Sequence, residues 1–356
     1  MTDVTVHEVL RKAASTLREA GVPTPEHDAA LLLAEASGAT LGDIRKAELL
    51  GESLTYVVST AESHTAKADL QSSGMLALAA SEIEDVSVQK ERLLRLSVQA
   101  LDKFSSMITR RATREPLQYI VGHAPFRYLD LQVGPGVFIP RQETETVVQA
   151  GLDWLESQQI VHPRVVDLCA GSGAIGLAVL TEVPGSEVWA VEYSQQALLW
   201  TERNHKKVEI DYPQCIGAYH LVYGDATDPE TLQELDDTVD LVISNPPYVP
   251  EFEVPEQLEV RDFDPDMALY GGSADGLVMP QRVIARAASL LRDGGLLVME
   301  HDISQGAALV ANAIEYGFEE ARTELDWTGR PRFLVAQRSR RYLSMDCIGA
   351  HKYTEV

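Results

Sequence analysis

Cysteines are few, aromatics are sparse and cations are outnumbered in this chain. Its three cysteines, Cys169, Cys215 and Cys347, lie far apart in 356 residues and form no closely spaced pair. That spacing argues against a disulfide framework and a metal-ligand pair, and it fits a reducing compartment. No apolar run is long enough to span a bilayer, and Met1-Thr2-Asp3-Val4 has neither a basic nor an apolar leader character. A soluble cytoplasmic protein with no metal and no membrane partner is therefore expected, and a monomer is expected as well. Lys and Arg total 30 against 54 Asp and Glu, a formal net charge of −24. Such a chain repels a phosphate backbone unless it carries a local basic face, so nucleic acid is an unfavoured partner. Apolar content is an ordinary 45%, and the length suits two domains.

The pattern changes near residue 140. Before it, apolar spacing predicts helices. Val6, Val9, Leu10, Ala13 and Leu17 form a stripe ending at Gly21; a second helix starts after Pro25 and runs to Gly38; a third covers Leu41 to Leu50. Residues 52–90, rich in Ser, Thr, Ala and Glu, are readable as a loop or as marginal helices. A stronger helix follows from Gln89 to Arg111. Alternating stretches at Phe126–Val133 and Val137–Ile139, split by Gly134-Pro135-Gly136, predict a β-hairpin linking two domains. After residue 141, short strands alternate with helices: Arg164–Leu168, Glu187–Val191, His220–Tyr223, Asp240–Ser244, Gly295–Glu300, Glu320–Glu324 and Arg332–Ala336. This order predicts an α/β, mainly parallel, doubly wound sheet, with ligands outside the strand carboxyl ends.

Two strand ends carry the chemistry. The run Asp240–Ser244 stops at Asn245-Pro246-Pro247-Tyr248. Such a turn suits methylation of a planar nitrogen, whose delocalised lone pair makes it a poor nucleophile. The Asn245 carboxamide oxygen can accept a hydrogen bond from the target NH₂, a backbone carbonyl of the proline turn can accept the second, and the Tyr248 ring can stack on the target plane. A proline-terminated strand with an Asn in a turn is the plainer reading. The first strand leads into Asp167-Leu168-Cys169-Ala170-Gly171-Ser172-Gly173-Ala174-Ile175-Gly176. Its glycines let the backbone approach a ligand and turn into a helix. Gly171, Gly173 and Gly176 also satisfy the dinucleotide pattern, so the loop alone does not separate NAD from S-adenosylmethionine. Asp167, before the glycines, is badly placed for a pyrophosphate but suits an ammonium group. Glu192 ends the second strand, where a carboxylate can accept from both ribose hydroxyls. Asp225, at the third strand's end, can reach an adenine amine. Glu300 and His301 close a later strand, and His301 reads as structural or peripheral. The acidic run Glu251–Asp266, directly after the proline turn, is expected to be a substrate-covering lid.

Taken together these residues resemble the protein-(glutamine-N5) methyltransferases that modify peptide chain release factors, the PrmC/HemK family. The resemblance rests on Arg114-Glu115-Pro116-Leu117-Gln118-Tyr119-Ile120-Val121-Gly122, Phe138-Ile139-Pro140-Arg141-Gln142-Glu143-Thr144-Glu145, Asp167 to Gly176, Asn245 to Tyr248, and Glu259-Val260-Arg261-Asp262-Phe263-Asp264-Pro265. It covers residues 1–50 loosely and 91–340 closely. It implies a class I seven-stranded Rossmann-like methyltransferase domain, an N-terminal helical-bundle domain and a linking β-hairpin. The implied divisions are a helical substrate-docking domain at 1–122, a hairpin linker at 123–140, the methyltransferase domain at 141–340 and a tail at 341–356. It also implies transfer of methyl from S-adenosylmethionine to the glutamine of a Gly-Gly-Gln loop in a release factor.

By position, Asp167, Cys169, Ala170, Gly171, Ser172, Gly173, Glu192, Asp225, Ala226 and Asn245 hold the cofactor. Asn245, Pro246, Pro247 and Tyr248 are catalytic and hold the glutamine, with Arg141 and Glu143 at the substrate entrance. The family usually has Gly-Thr at Cys169-Ala170, an aromatic at Ala226 and Pro at Gln142, and its 52–90 region is shorter. An adenine-N6 nucleic-acid methyltransferase sharing the Asn-Pro-Pro-Tyr turn is the alternative function, and the net charge argues against it. A nucleotide-binding oxidoreductase or a non-catalytic scaffold would leave the proline turn unexplained.

Overall fold

The computed structural model describes residues 4–72 and 86–339. The expected tail, Cys347 and the middle of the 52–90 stretch lie outside them. The described chain forms two compact units, one running up to Gly122 and including Glu256–Phe263, the other comprising His123–Pro255 and Asp264 onward.

The first unit is helical. Its opening helices are α1 (Val6–Glu19), α2 (Pro25–Ser37) and α3 (Leu41–Leu50). Local chemistry fixes their starts and stops. Thr5 and Glu8, then Thr40 and Asp43, exchange side-chain and backbone hydrogen bonds as capping boxes. Pro25 occupies the first turn of α2, and Gly38 ends it in the left-handed conformation. The undecided 52–90 stretch contains α4 (Leu54–Ser72), and α5 (Val86–Ala112) begins before its end. The buried stripe of α4, Leu54, Val57, Val58 and Ala61, has helical spacing. Surrounding Ser and Thr, which are weak helix formers, obscure it in the sequence. Leu17, Leu32, Leu33, Ile44, Leu54 and Phe104 share one apolar core. The helix α6 (Leu117–Val121) follows.

The expected acidic lid is divided. Its part α10 (Leu258–Phe263) belongs to this helical unit. Glu259 receives a two-pronged grip from Arg114, at 2.8 and 2.6 Å, and a third bond from Arg111 Nη2 at 2.8 Å. Arg111 also donates to buried Asp28 at 2.8 Å. Burial pushes the Glu259 carboxyl up, but the hydrogen bonds from Arg114 and Arg111 outweigh it and hold it at about 2. A carboxyl depressed on folding stabilises the protein above its ordinary pKa, and that contribution drains as pH falls from about 4.5 toward 2. Glu259→Gln is therefore expected to cost about 1.5–3 kcal/mol near pH 7, with the gap from wild type closing on acidification. Urea unfolding of both proteins between pH 7 and 3 measures this. A gap independent of pH would refute the assignment.

The second unit opens with a hairpin of β1 (His123–Phe126) and β2 (Leu129–Gln132). It lies upstream of the hairpin expected from the sequence, and it belongs to the second unit instead of linking two. Arg127 and Tyr128 make the turn, Arg127 with φ +52°. Val137–Ile139 forms no strand. The Gly134-Pro135-Gly136 stretch lies against helix α9 (Gln195–Asp211) instead: Trp200 Nε1 donates to Pro135 O at 3.3 Å, and a Cβ on Gly134 would meet the Trp200 ring at 2.6 Å.

All seven expected strands of the large sheet are present: β3 (Arg164–Leu168), β4 (Glu187–Glu192), β5 (Tyr219–Tyr223), β6 (Val239–Ser244), β7 (Leu291–Glu300), β8 (Phe318–Leu325) and β9 (Pro331–Arg338). Their order is β5-β4-β3-β6-β7-β9-β8, parallel except where β9 runs against its neighbours. The helices α7 (Thr144–Ser157), α8 (Ala174–Glu182) and α12 (Val278–Leu290) pack on it, over buried Val165, Leu241, Ile243 and Leu297. The chain winds from β3 outward to β5 and then returns to place β6 on the other side of β3. That reversal is the topological switch point, where crevices open at the strand carboxyl ends.

Candidate active site

Strand register assembles the site. Leu168 of β3 pairs with Ser244 of β6, and Ser244 pairs with Met299 of β7. Ser244 Oγ ties the first pair by donating to Leu168 O at 2.6 Å. The next residue on each strand, Cys169, Asn245 and Glu300, therefore emerges on one edge. A cavity of about 580 Å³ opens there, within the size range of small-ligand sites.

The glycine loop forms one wall. Cys169, Gly171 and Gly173 have φ of +68°, +59° and +83°. Cys169 to Ser172 line the cavity, whereas Gly173 does not; a Cβ there would strike Thr201 Cγ2 at 2.8 Å. Asp167 also stands off the cavity. It is fully buried, its Oδ2 accepts from Gly176 N at 2.9 Å, and burial pushes its carboxyl up to about 7. The carboxylate expected to face an ammonium group thus anchors the first turn of α8.

Glu192 lines the cavity at the end of β4, adjoining the loop. Its Oε2 accepts from Gly171 N at 2.7 Å and its Oε1 from Ser194 N at 2.6 Å. Each carboxylate oxygen has two lone pairs, so acceptor capacity remains for a ligand. Burial raises its pKa against the pull of these bonds. Asp225 and buried Ala226 continue the wall; Asp225 Oδ1 accepts from the backbone and hydroxyl of Thr227, both at 2.8 Å.

Cys169 is the odd residue of the loop, because a Cβ in the left-handed region costs about 1–2 kcal/mol. Burial and the charge of Glu192 push its thiol pKa far up, so it stays protonated. Cys169→Gly is expected to hold stability within about 1 kcal/mol, relieved strain offsetting added unfolded-state freedom. Cys169→Val should be less stable than wild type, because a side chain branched at Cβ tolerates the left-handed region least. Thermal melts of the two variants check this ordering, which a more stable valine variant would overturn.

The proline turn borders the same cavity. Asn245 and Pro247 line the cavity; Pro246 and Tyr248 do not. The Tyr248 hydroxyl turns away to Glu300 Oε1 at 3.0 Å, so its ring is not on the cavity wall as a stacking face. Thr144 Oγ1 donates to Glu300 Oε2 at 2.7 Å and receives Asn245 Nδ2 at 3.2 Å. Burial raises the Glu300 pKa, and bonds from Thr144 and Tyr248 lower it. The sequence puts Glu300 at a strand end without a role and gives none to Thr144. An acid directly after four apolar strand residues, Leu296 to Met299, is the available signal. Arg141 lines the cavity and pairs with Asp264, whose carboxyl burial lifts to about 6 against the Arg141 charge. Glu143 is exposed, at the start of α7, and does not line the cavity. Pro265 and Asp266, the far end of the expected lid, do line it, as do Met267 and Ala268 just beyond.

Comparison with known proteins places this arrangement. The release factor glutamine methyltransferase of Bifidobacterium longum is 54% identical over 93% of this chain and 99% of its own length. The chain belongs to the release factor glutamine methyltransferase family. The family's member from Streptomyces coelicolor is 45% identical over 67% of this chain and 81% of its own, and that from Corynebacterium glutamicum 34% identical over 94% and 99%. The methyltransferase small domain matches residues 129–261, and the PrmC N-terminal domain matches 8–49 and 62–122. In this family member no described helix is long and apolar enough to cross a membrane, and no described His, Cys, Asp and Glu residues cluster as a metal site.

Proposed function

We propose that this protein methylates the side-chain amide nitrogen of the glutamine in the Gly-Gly-Gln loop of peptide chain release factors, drawing the methyl group from S-adenosylmethionine. One observation carries the reading: the Asn245 carboxamide lies on the cavity wall with its NH₂ taken by Thr144, next in register to the glycine loop. Its oxygen is left as the acceptor for a substrate NH₂.

The residues present fit the cofactor. A backbone loop of Cys169 to Ser172, a strand-end carboxylate with lone pairs to spare in Glu192, and Asp225 beside Ala226 surround a single cavity. When bound there, S-adenosylmethionine supplies an electrophilic methyl group. Asn245 Oδ1 and a backbone carbonyl of the proline turn each accept one N–H of a primary amide. That pairing fixes the nitrogen and favours the more pyramidal, positive form it takes during attack. Arg141, held by Asp264 and stacked on Phe138 at 4.7 Å, borders the cavity as a substrate-facing cation. A methylated amide sheds its proton readily to water, so no dedicated base is required.

The helical residues 1–122 carry no cofactor-type motif and serve as the docking domain for the release factor, with 141–340 as the methyltransferase domain. The protein acts in the cytoplasm, a reading the scattered cysteines support, and as a monomer. A net charge of −24 weighs against a nucleic-acid substrate. Incubation with labelled methyl donor, a release factor and DNA, followed by peptide mapping, tests the reading. Label on the Gly-Gly-Gln glutamine is expected; label on DNA alone would refute it.

A further inference from the structure

The hydrogen bonds behind Asn245 have a fixed polarity. Glu300 is 2% exposed at the end of β7, and its two oxygens receive two hydroxyls, Thr144 Oγ1 at 2.7 Å and Tyr248 Oη at 3.0 Å. Both Glu300 oxygens are thus occupied as acceptors, and each hydroxyl has one proton to give. Thr144, having given that proton to Glu300, can offer Asn245 only a lone pair. The Asn245 amide must then present its NH₂ to Thr144, as it does at 3.2 Å, and its oxygen elsewhere. A flipped amide would set two acceptors against each other.

We propose that Glu300, acting through Thr144 and braced by Tyr248, is a positioning residue that fixes the flip of the Asn245 carboxamide and so holds Oδ1 toward the substrate amide. The proposal rests on the methyl-transfer reading of the same site and extends it to a shell of residues that have no acceptor of their own on the substrate nitrogen. It also gives Tyr248 a role in place of stacking: its hydroxyl occupies the second Glu300 oxygen and keeps the carboxylate aimed at Thr144.

The test joins kinetics with a readout that needs no turnover. Thr144→Val removes the hydroxyl and keeps the shape. With release factor as substrate, its kcat should fall about 10- to 100-fold, the order associated with a misplaced reacting group. KM and the S-adenosylmethionine Kd should stay within about twofold, and Thr144→Ser should restore most of the rate. Tyr248→Phe should lose several-fold in kcat by the same route, and it carries the kinetic arm if the valine variant folds poorly. In ¹⁵N-labelled protein the Asn245 side-chain NH₂, identified by its loss in Asn245→Asp, should be protected from solvent exchange in wild type and exposed in Thr144→Val. Full kcat in Thr144→Val or Tyr248→Phe, or unchanged protection, would overturn the proposal. If wild type fails to methylate release factor, the substrate reading fails, and the exchange measurement still decides the orientation of Asn245.

Discussion

Replacing Asn245 with alanine should lower kcat about 100- to 1000-fold, the loss associated with removing one preorganised polar contact to a reacting group, ~2.7–4 kcal/mol. The fold should survive. Asn245 is the first residue beyond β6 and is only partly buried, while the strand's own residues Leu241, Val242 and Ile243 are fully buried. Cofactor affinity should fall far less than turnover, because Asn245 is one of several residues on the cavity and the loop from Cys169 to Ser172 and Glu192 remain. Asn245→Asp separates two explanations. A carboxylate still accepts a hydrogen bond, but it has no NH₂ for Thr144, which would face it with a lone pair while its proton stays on Glu300. Substrate binding should therefore survive while turnover falls. Single-turnover kinetics with a Gly-Gly-Gln peptide, alongside titration of the cofactor, measures both quantities. Full activity in Asn245→Ala, or equal methylation of a peptide carrying Asn in place of Gln, would end this account of the chemistry.

Glu192→Ala should weaken S-adenosylmethionine binding by about 1.5–3 kcal/mol, the usual range for hydrogen bonds to a charged group, or roughly tenfold to a hundredfold in Kd. Two effects contribute. The ribose acceptor is lost, and the backbone N–H groups of Gly171 and Ser194, now tied to its two oxygens, are released. Glu192→Gln retains one carbonyl acceptor and should lose less. Calorimetric titration with S-adenosylmethionine, its demethylated product and NAD gives the result directly. Unchanged affinity in Glu192→Ala, or tight NAD binding by wild type, would remove Glu192 from the site.

The central strands of the large sheet were legible because they are short apolar runs. Leu168 before the glycine loop and Ser244 before the proline turn mark their ends within a residue. The hairpin was misplaced because Phe126 to Val133 alternates well enough to pass for one strand. The turn at Arg127 and Tyr128 carries no glycine or asparagine to announce it. Within the site, motif reading located Asn245, Glu192 and Asp225 on one cavity. It did not reveal that Asp167 and Tyr248 point into the protein, because the direction of a side chain at a strand end depends on its neighbours. Asp167 is claimed by the Gly176 N–H, and Tyr248 by Glu300. Thr144 and Glu300 lie 156 residues apart in sequence, and only the packing of the start of α7 against the end of β7 brings them together.

The membership of Glu256–Phe263 in the helical unit has a consequence for anyone who cuts or recombines this protein. The helical unit is not an N-terminal cassette that ends at Gly122. One of its pieces is encoded after the proline turn, and Arg111 and Arg114 close on that piece through Glu259. Deleting the chain up to Gly122 would strand the piece without its arginines. A chimera that borrows the helices of a relative must import residues 256–263 from the same parent, or must match the arginine pair to the resident glutamate. Covariation among relatives should therefore link positions 111, 114 and 259 more tightly than their distance along the chain suggests.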